Sequence, residues 1–432
     1  MNAILGLQII GGPLPWIVYA VAIGLVLVLL LRPPTGRWVL TALLGIVIGG
    51  ALGVGLYAVV NALDLVGSQL PVEVCFWVAA VFAAVGLAVV NLWRSRVWRK
   101  IVAVIAIVWF VFTGVIGVNA FFGLNPTLGS LFGIATQGRI AIPTDSPTAT
   151  PTGPLYQSWK PPAGMPAQGT QGTQKIPNTA SGFDARDAGI YLPPAALVDS
   201  PPPLPLVIMM MGFPGNPDPT YIGGVLDTFA AQHDGLAPIV IVADQIGGDG
   251  QTRDPACANS TTFGNAETYI TTDVVNWAKA NLNIIEDPKS WVVAGYSNGG
   301  GCAIKYGAKD PTLFGNILSV SGEEYPGSED PDLVTQQVYG GDEAAFEAAK
   351  PAAIMQAAPA GTYDGMTAVF TAGSDDAPYV ASQQEISGVA QQVGMTVTNY
   401  VIPGAGHTGD ALTDGLTEGF TVLYPVLGLS AP

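Results

Sequence analysis

One short stretch of this chain combines the residue types needed for nucleophilic catalysis. The pentapeptide Gly295-Tyr-Ser-Asn-Gly299 follows the apolar run Trp291-Val-Val-Ala-Gly295 and opens the helix-compatible run Gly299-Gly-Gly-Cys-Ala-Ile-Lys-Tyr306. A strand that turns sharply into a helix at such a serine projects its hydroxyl away from the sheet. Side chains at Gly295 or Gly299 would collide with neighbouring backbone in that turn. Ser297 is also left near a helix N-terminus, where the dipole favours developing negative charge. A serine hydroxyl is a weak nucleophile until a base takes its proton, and the chain offers two histidines. His233 precedes Ser297, in a segment (Ala230-Ala-Gln-His-Asp-Gly235) that reads as a helix end. His407 follows it, in the Gly-rich stretch Pro403-Gly-Ala-Gly-His-Thr-Gly409 after an apolar strand. In strand-turn-helix serine sites the chain order is serine, acid, histidine, which selects His407.

The orienting acid then belongs between the two. Thr371-Ala-Gly-Ser-Asp-Asp-Ala-Pro-Tyr379 ends another apolar run and supplies Asp375 and Asp376. Asp376 is preferred, three residues past the strand-ending Gly373, with Asp375 second; Asp410 and Asp414 are too close in sequence to His407. Such an acid fixes the imidazole tautomer and stabilises the imidazolium. An oxyanion needs two backbone N–H donors. Asn298 supplies one, and the loop Met211-Gly-Phe-Pro-Gly215 supplies the other through Phe213 or Gly212. No residue cluster has metal-ligand spacing, so no metal or organic cofactor is implied.

These residues must be held by strands and helices. Continuous apolar runs at Leu206–Met211, Ile239–Ala243, Trp291–Gly295, Ile317–Ser321, Thr367–Ala372 and Val397–Ile402 read as strands buried on both faces. Helix-compatible segments lie between them, including Ala266–Leu282, Gly299–Lys309 and Ser382–Val393. Alternating strands and helices predict an α/β fold with a doubly wound, mostly parallel sheet. Ligands of such sheets bind beyond the carboxyl ends of the strands, where Ser297 and the loops after Met211, Ala372 and Ile402 lie. Ser181–Pro193 reads as an edge strand entering this domain.

The N-terminal part has a different solvent in view. Leu14–Leu31, Trp38–Leu63, Pro71–Trp93 and Ile101–Leu124 each approach or exceed the about 20 apolar residues that cross a membrane. The first has neither a basic leader nor a small-residue cleavage site, so it reads as a retained helix. Arg32 and Arg37 lie between spans one and two, and Arg94, Arg96, Arg99 and Lys100 between spans three and four. The intervening loop carries only Asp64 and Glu73. The positive-inside rule makes the basic loops cytoplasmic and both ends of the bundle extracytoplasmic. No charge lies deep in a span, which argues against an ion path and for an anchor. The expected organisation is a four-helix membrane domain over 1–124, a Pro/Gly/Thr-rich linker over 125–175, and an extracytoplasmic catalytic domain over 176–432. The linker includes Pro143-Thr-Asp-Ser-Pro-Thr-Ala-Thr-Pro-Thr-Gly-Pro154, which has nothing to bury.

Charge follows the same division. Residues 1–124 hold six basic and two acidic residues, a net of +4, so within a whole-chain −16 the remainder carries −20. An acidic surface argues against nucleic acid as a partner. Three cysteines occur. Cys75 lies in an apolar stretch, whereas Cys257 and Cys302 could pair if their half faces an oxidising compartment.

Taken together, Gly295–Gly299, the order Ser297, Asp376, His407 and the Met211–Gly215 loop resemble the α/β-hydrolase superfamily over about Pro205–Leu427. The resemblance is to the group containing esterase D, enterochelin esterases and mycolyltransferases. It implies a serine esterase or acyltransferase acting through an acyl-enzyme, with an ester substrate and no cofactor; some relatives in actinobacteria act on envelope lipids. The multi-span anchor departs from secreted members. The expectation is therefore an integral membrane esterase for envelope lipids, with aminoacylated phospholipid one candidate. A mycolyltransferase-type acyltransferase and a catalytically silent binding protein are the alternatives, and the oligomeric state is left open.

Overall fold

A computed structural model describes the chain except residues 1, 11, 64–69, 135, 143–152, 249 and 251–252. Asp64 and most of the Pro/Thr run expected in the spacer lie outside the described residues. The chain divides into two compact units, Met1–Phe132 and Gly133–Pro432.

In the first unit, four helices are long and apolar enough to cross a membrane: α1 (Pro13–Leu30), α2 (Gly36–Ala62), α3 (Val72–Val90) and α4 (Val97–Phe122). Their large apolar side chains mostly point outward, Leu43, Val47, Leu52, Phe76 and Val108 among them. That is the arrangement expected where hydrocarbon, not water, is the solvent. Small residues bring α2 and α3 together: a Cβ on Gly49 would lie 2.2 Å from the Phe82 carbonyl oxygen. Such close approach substitutes van der Waals packing for the hydrophobic effect. The two basic loops lie at one end of this bundle. Arg32 Nη2 donates to the Arg94 carbonyl at 3.1 Å, and Arg99 Nη2 donates to Leu31 at 2.6 Å and Val28 at 3.0 Å. Arg99 thereby satisfies carbonyls left open at the α1 C-terminus.

The second unit is built on an eight-stranded sheet. Its strands in chain order are β1 (Thr170–Gln174), β2 (Ala188–Leu192), β3 (Leu206–Met210), β4 (Ile239–Ala243), β5 (Trp291–Tyr296), β6 (Asn316–Val320), β7 (Thr367–Gly373) and β8 (Thr396–Ile402). Their spatial order is β1-β2-β4-β3-β5-β6-β7-β8. β1 and β2 are antiparallel additions, and the remaining pairs are parallel. The helices that matter for the site are α5 (Thr220–Gln232), α6 (Asn298–Lys309), α7 (Ala377–Gln392) and α8 (Gly409–Val426). Alternation along β6 shows how both faces are covered. Ile317 and Ser319 meet Gly307 and Gly300 of α6, while Leu318 and Val320 meet Gly419 and Gly415 of α8. A strand covered on both sides is apolar throughout, and β2 to β7 are buried along their whole length.

The six strands expected from apolar runs are present. Four expectations need correction. Ser181–Pro193 is a strand only at Ala188–Leu192 and is not an edge: β2 is fully buried between β1 and β4, because β1 takes the outer position. Val397–Ile402 is not buried on both faces: β8 is the outermost parallel strand, with Thr396, Asn399 and Tyr400 exposed. Residues 125–175 do not form a pure spacer: β1 pairs with β2 along its whole length, and Arg139 bridges to Thr173. Thr170-Gln-Gly-Thr-Gln174 lacks apolar alternation because it is the outermost strand, where polar side chains can stay in water. α7 begins at Ala377 rather than Ser382, with Asp376 at its N-cap and Pro378 in its first turn. The helix expected over Ala266–Leu282 is helical from Ala266 to Asn281, with π geometry at Tyr269–Val274. There Asp273 accepts from the Ala180 and Ser181 N–H groups at 2.8 and 2.9 Å, tying the segment before β2 to this helix.

Candidate active site

The Ser297 turn is as tight as its glycines suggest. Ser297 has φ 55° and ψ −122°, a backbone conformation rarely adopted by a residue with a side chain. A Cβ on Gly295 would lie 1.9 Å from the Gly299 carbonyl oxygen, and one on Gly299 2.2 Å from that of Met210. The strain is held in place by neighbours: Ser297 N–H donates to Val320 O at 3.0 Å, and Ser297 O accepts from Gly300 and Gly301. The result stands the hydroxyl at the carboxyl end of β5, at the start of α6.

The turns that carry Asp376 and His407 are tied to each other by backbone bonds. After β7, Ser374 N–H donates to Ile402 O at 2.8 Å and Asp375 N–H to Ala405 O at 2.9 Å. Gly404 N–H returns a bond to Ser374 Oγ at 2.7 Å. This places Asp376 Oδ2 2.7 Å from His407 Nδ1, and His407 Nε2 2.9 Å from Ser297 Oγ. A carboxylate at Nδ1 requires that nitrogen to carry the proton. Nε2 is then the acceptor, facing the serine O–H. Asp375 instead is exposed, its carboxylate accepting from Ser374 Oγ at 3.0 Å. His407 packs between two aromatic rings, Tyr379 at 4.3 Å and Tyr296 at 5.1 Å between centroids. His233 lies elsewhere: it ends α5, its Nδ1 is 2.7 Å from Phe229 O, and its ring stacks on Phe229.

Gly212 lies against Ser297, since a Cβ there would be 3.2 Å from Ser297 Cβ. Asn298 is the first residue of α6, where a backbone N–H has no partner within the helix. The loop Gly212–Asn216 is clamped from behind. Arg186 forms a fork with buried Asp244, 3.0 Å to Oδ2 and 2.6 Å to Oδ1, and reaches Gly215 O at 2.8 Å.

Several site residues had no signal in the sequence. Asn298 Nδ2 donates to Asp254 Oδ2 at 2.9 Å and lies 3.4 Å from Glu323 Oε1. Glu323 Oε2 accepts from Gly327 N–H at 2.7 Å, and the Tyr379 hydroxyl donates to Glu329. Burial pushes the Asp254 carboxyl up to about 6. Burial, with Asp254 and Glu329 nearby, holds the Glu323 carboxyl well above the usual range. Lys305 of α6, drawn down to about 8 by burial, donates to Cys257 O at 3.0 Å. Cys257 and Cys302 form a disulfide, with Cα atoms 5.4 Å apart, which links the Asp254 loop to α6. Cys75 is a free thiol. Among the described residues, no group of three or more His, Cys, Asp or Glu side chains could hold a metal ion.

Known proteins share this sequence and fold. The family described as "Putative esterase" matches residues 184–406, a span containing Ser297 and Asp376 and ending one residue before His407. An uncharacterized protein of Corynebacterium glutamicum is 32% identical over 346 residues, which is 76% of this chain and 77% of that protein. Among solved structures, a ferulic acid esterase superposes with a TM-score of 0.50 at 15% identity, over 60% of this chain and 99% of its own. An S-formylglutathione hydrolase from Agrobacterium tumefaciens has a TM-score of 0.50 at 15% identity, over 61% and 97%. At that identity the likeness concerns the fold, and the fold is that of the α/β-hydrolases. The sequence match over more than half of the chain goes further: this protein belongs to the esterase family and is a hydrolase.

Proposed function

We propose that this esterase cleaves carboxylic esters through a Ser297–His407–Asp376 triad. The observation that carries the reading is the hydrogen-bond chain from Asp376 through His407 to Ser297, at 2.7 and 2.9 Å. Ser297 Oγ attacks the ester carbonyl while His407 Nε2 takes its proton. Asp376 holds the Nδ1–H tautomer and stabilises the imidazolium. The Asn298 N–H and that of Gly212 or Phe213 receive the oxyanion. His407 returns the proton to the departing alcohol, leaving Ser297 acylated. Water, deprotonated by His407, then releases the acid and restores the serine.

The location follows from the first unit. Four apolar helices suit an integral membrane anchor. Basic loops gathered at one end of the bundle favour that end as cytoplasmic and support an esterase on the outer side. A disulfide between Cys257 and Cys302 supports an oxidising compartment. An esterase tethered there meets lipids of the membrane and envelope. The acidic balance of the residues beyond the apolar helices suits an ester bearing an ammonium group, as in aminoacylated phospholipid.

The experiment is to incubate the full-length enzyme with vesicles of phosphatidylglycerol containing lysyl-phosphatidylglycerol. Free amino acid and p-nitrophenyl ester turnover would be measured in wild type and Ser297→Ala. Release of lysine by wild type alone supports the reading. Turnover of simple esters without lysine release removes this lipid as substrate. Activity on neither overturns the esterase mechanism at Ser297.

A further inference from the structure

Two backbone N–H groups stabilise an oxyanion only while they keep a fixed separation, held by surroundings that do not yield. Here the donors sit on different elements. Asn298 opens α6, whereas Gly212 and Phe213 follow β3. The ladder between β3 and β5 ends at Met210 opposite Gly295, short of both donors.

Gln245 spans the gap. It lies just past β4, 3% exposed, and its Nε2 donates to Met211 O at 2.6 Å and to Asn298 Oδ1 at 3.1 Å. One planar amide thus uses both its hydrogens, one on each element. The chemistry of the neighbours fixes its orientation. Asn298 Nδ2 is engaged by the Asp254 carboxyl, so Asn298 Oδ1 is the atom left to face Gln245. Met211 O is a carbonyl and can only accept. The glutamine must therefore present its NH2 group to both. The Met211 carbonyl shares a rigid peptide plane with the Gly212 N–H, and Asn298 carries the other donor on its own backbone. Rotation of either donor would break a buried bond to Gln245.

We propose that Gln245 is a positioning residue for the oxyanion site, setting the separation of the Asn298 donor and the donor after Met211. It touches neither substrate nor triad and acts through those two residues. The inference rests on Ser297 being the nucleophile.

The test compares full-length wild type with Gln245→Met, which keeps length without donors, and Gln245→Glu, which turns a carboxylate toward two acceptors. Two quantities are read: kcat and KM for a p-nitrophenyl ester, and the rate of fluorophosphonate attachment per labelled site. Both reactions pass through an oxyanion-like transition state. Loss of a whole oxyanion donor costs about 10²–10³ in kcat, so partial displacement is expected to cost about 10- to 100-fold. KM should stay within about 3-fold, and the labelling rate per site should fall in parallel with kcat. A purely structural role would lower the fraction of labelled sites but leave the rate per site unchanged. That outcome, or a loss confined to KM, overturns the proposal; should one variant fold poorly, the per-site rate of the other decides. Wild type that fails to label at all removes the Ser297 reading instead.

Discussion

Replacing Asp376 by Asn keeps the size of the side chain and removes its charge. With His407 as the proposed base, its ring becomes an imidazolium in the transition state, and its carboxylate partner lies 2.7 Å from Nδ1. The side chains are 27% and 11% exposed for His407 and Asp376, so the pair is shielded from solvent only in part. At an effective dielectric near 20, charges about 4 Å apart interact by about 4 kcal/mol. That corresponds to about three decades in rate. In a fully buried triad the equivalent change costs about 10⁴ in kcat, and partial exposure places this one nearer 10³. Asp375→Asn is the internal control, since Asp375 is exposed and, among the described residues, bonds its neighbour Ser374 and a backbone carbonyl. Its effect should stay within about 3-fold, the range of ordinary surface substitutions. The assay is kcat/KM on a p-nitrophenyl ester, with thermal unfolding to show that both variants fold. Asp376→Asn retaining more than a tenth of wild-type kcat/KM, or Asp375→Asn matching its loss, would refute the assignment.

Three further outcomes follow from the packing. Gly295→Ala should prevent accumulation of folded esterase, because its Cβ would sit 1.9 Å from a backbone oxygen that no side-chain movement relieves; recovery of an active, normally melting variant would contradict this. Removing the disulfide by Cys257→Ser with Cys302→Ser opens a link of sequence separation 45, which chain entropy values at about 4 kcal/mol. A clear fall in Tm is expected in both detergent and lipid, and an unchanged Tm would be at odds with the bond. Asp254 gives a pH signature. Its folded carboxyl titrates at about 6, above the ordinary 3.8, so its contribution to stability is fully present below pH about 4 and lost as pH rises through about 6. A two-unit shift is worth about 3 kcal/mol. Asp254→Asn should therefore gain stability relative to wild type between pH about 4 and about 7; a difference that does not change with pH would rule out the burial argument.

How far the sequence could be read depended on the range of each signal. Ser297 is marked by a local rule, since a serine at positive φ between two backbone contacts needs glycine on both sides. His407 needed only chain order and a choice between two histidines. Asp376 lay at a strand end, where an apolar run stopped. The inner parallel strands were visible because burial on both faces makes them largely apolar; the outermost, β8, is partly exposed and was visible through Val397, Val401 and Ile402. β1 was not, because an outer strand of Thr, Gln and Gly has the composition of a linker and becomes a strand only when β2 supplies partners. The shell behind the site was equally hidden. Gln245 meets Met211 and Asn298 across sequence separations of 34 and 53, and Asn298 meets Asp254 across 44. No spacing rule connects residues so far apart; the fold brings them together. Tyr379 is an intermediate case, sharing the first turn of α7 with Asp376 and so brought to His407 by the same helix start.

The central claim is that Ser297 is an activated nucleophile. The most direct measurement is fluorophosphonate labelling of the full-length protein, with the modified residue located by mass spectrometry, in wild type, Ser297→Ala and His407→Ala. The account predicts a single adduct on Ser297, none in Ser297→Ala, and labelling slowed by at least about 10²-fold in His407→Ala, as expected when a general base is lost. An adduct on another residue, or wild-type labelling that survives loss of His407, would contradict it.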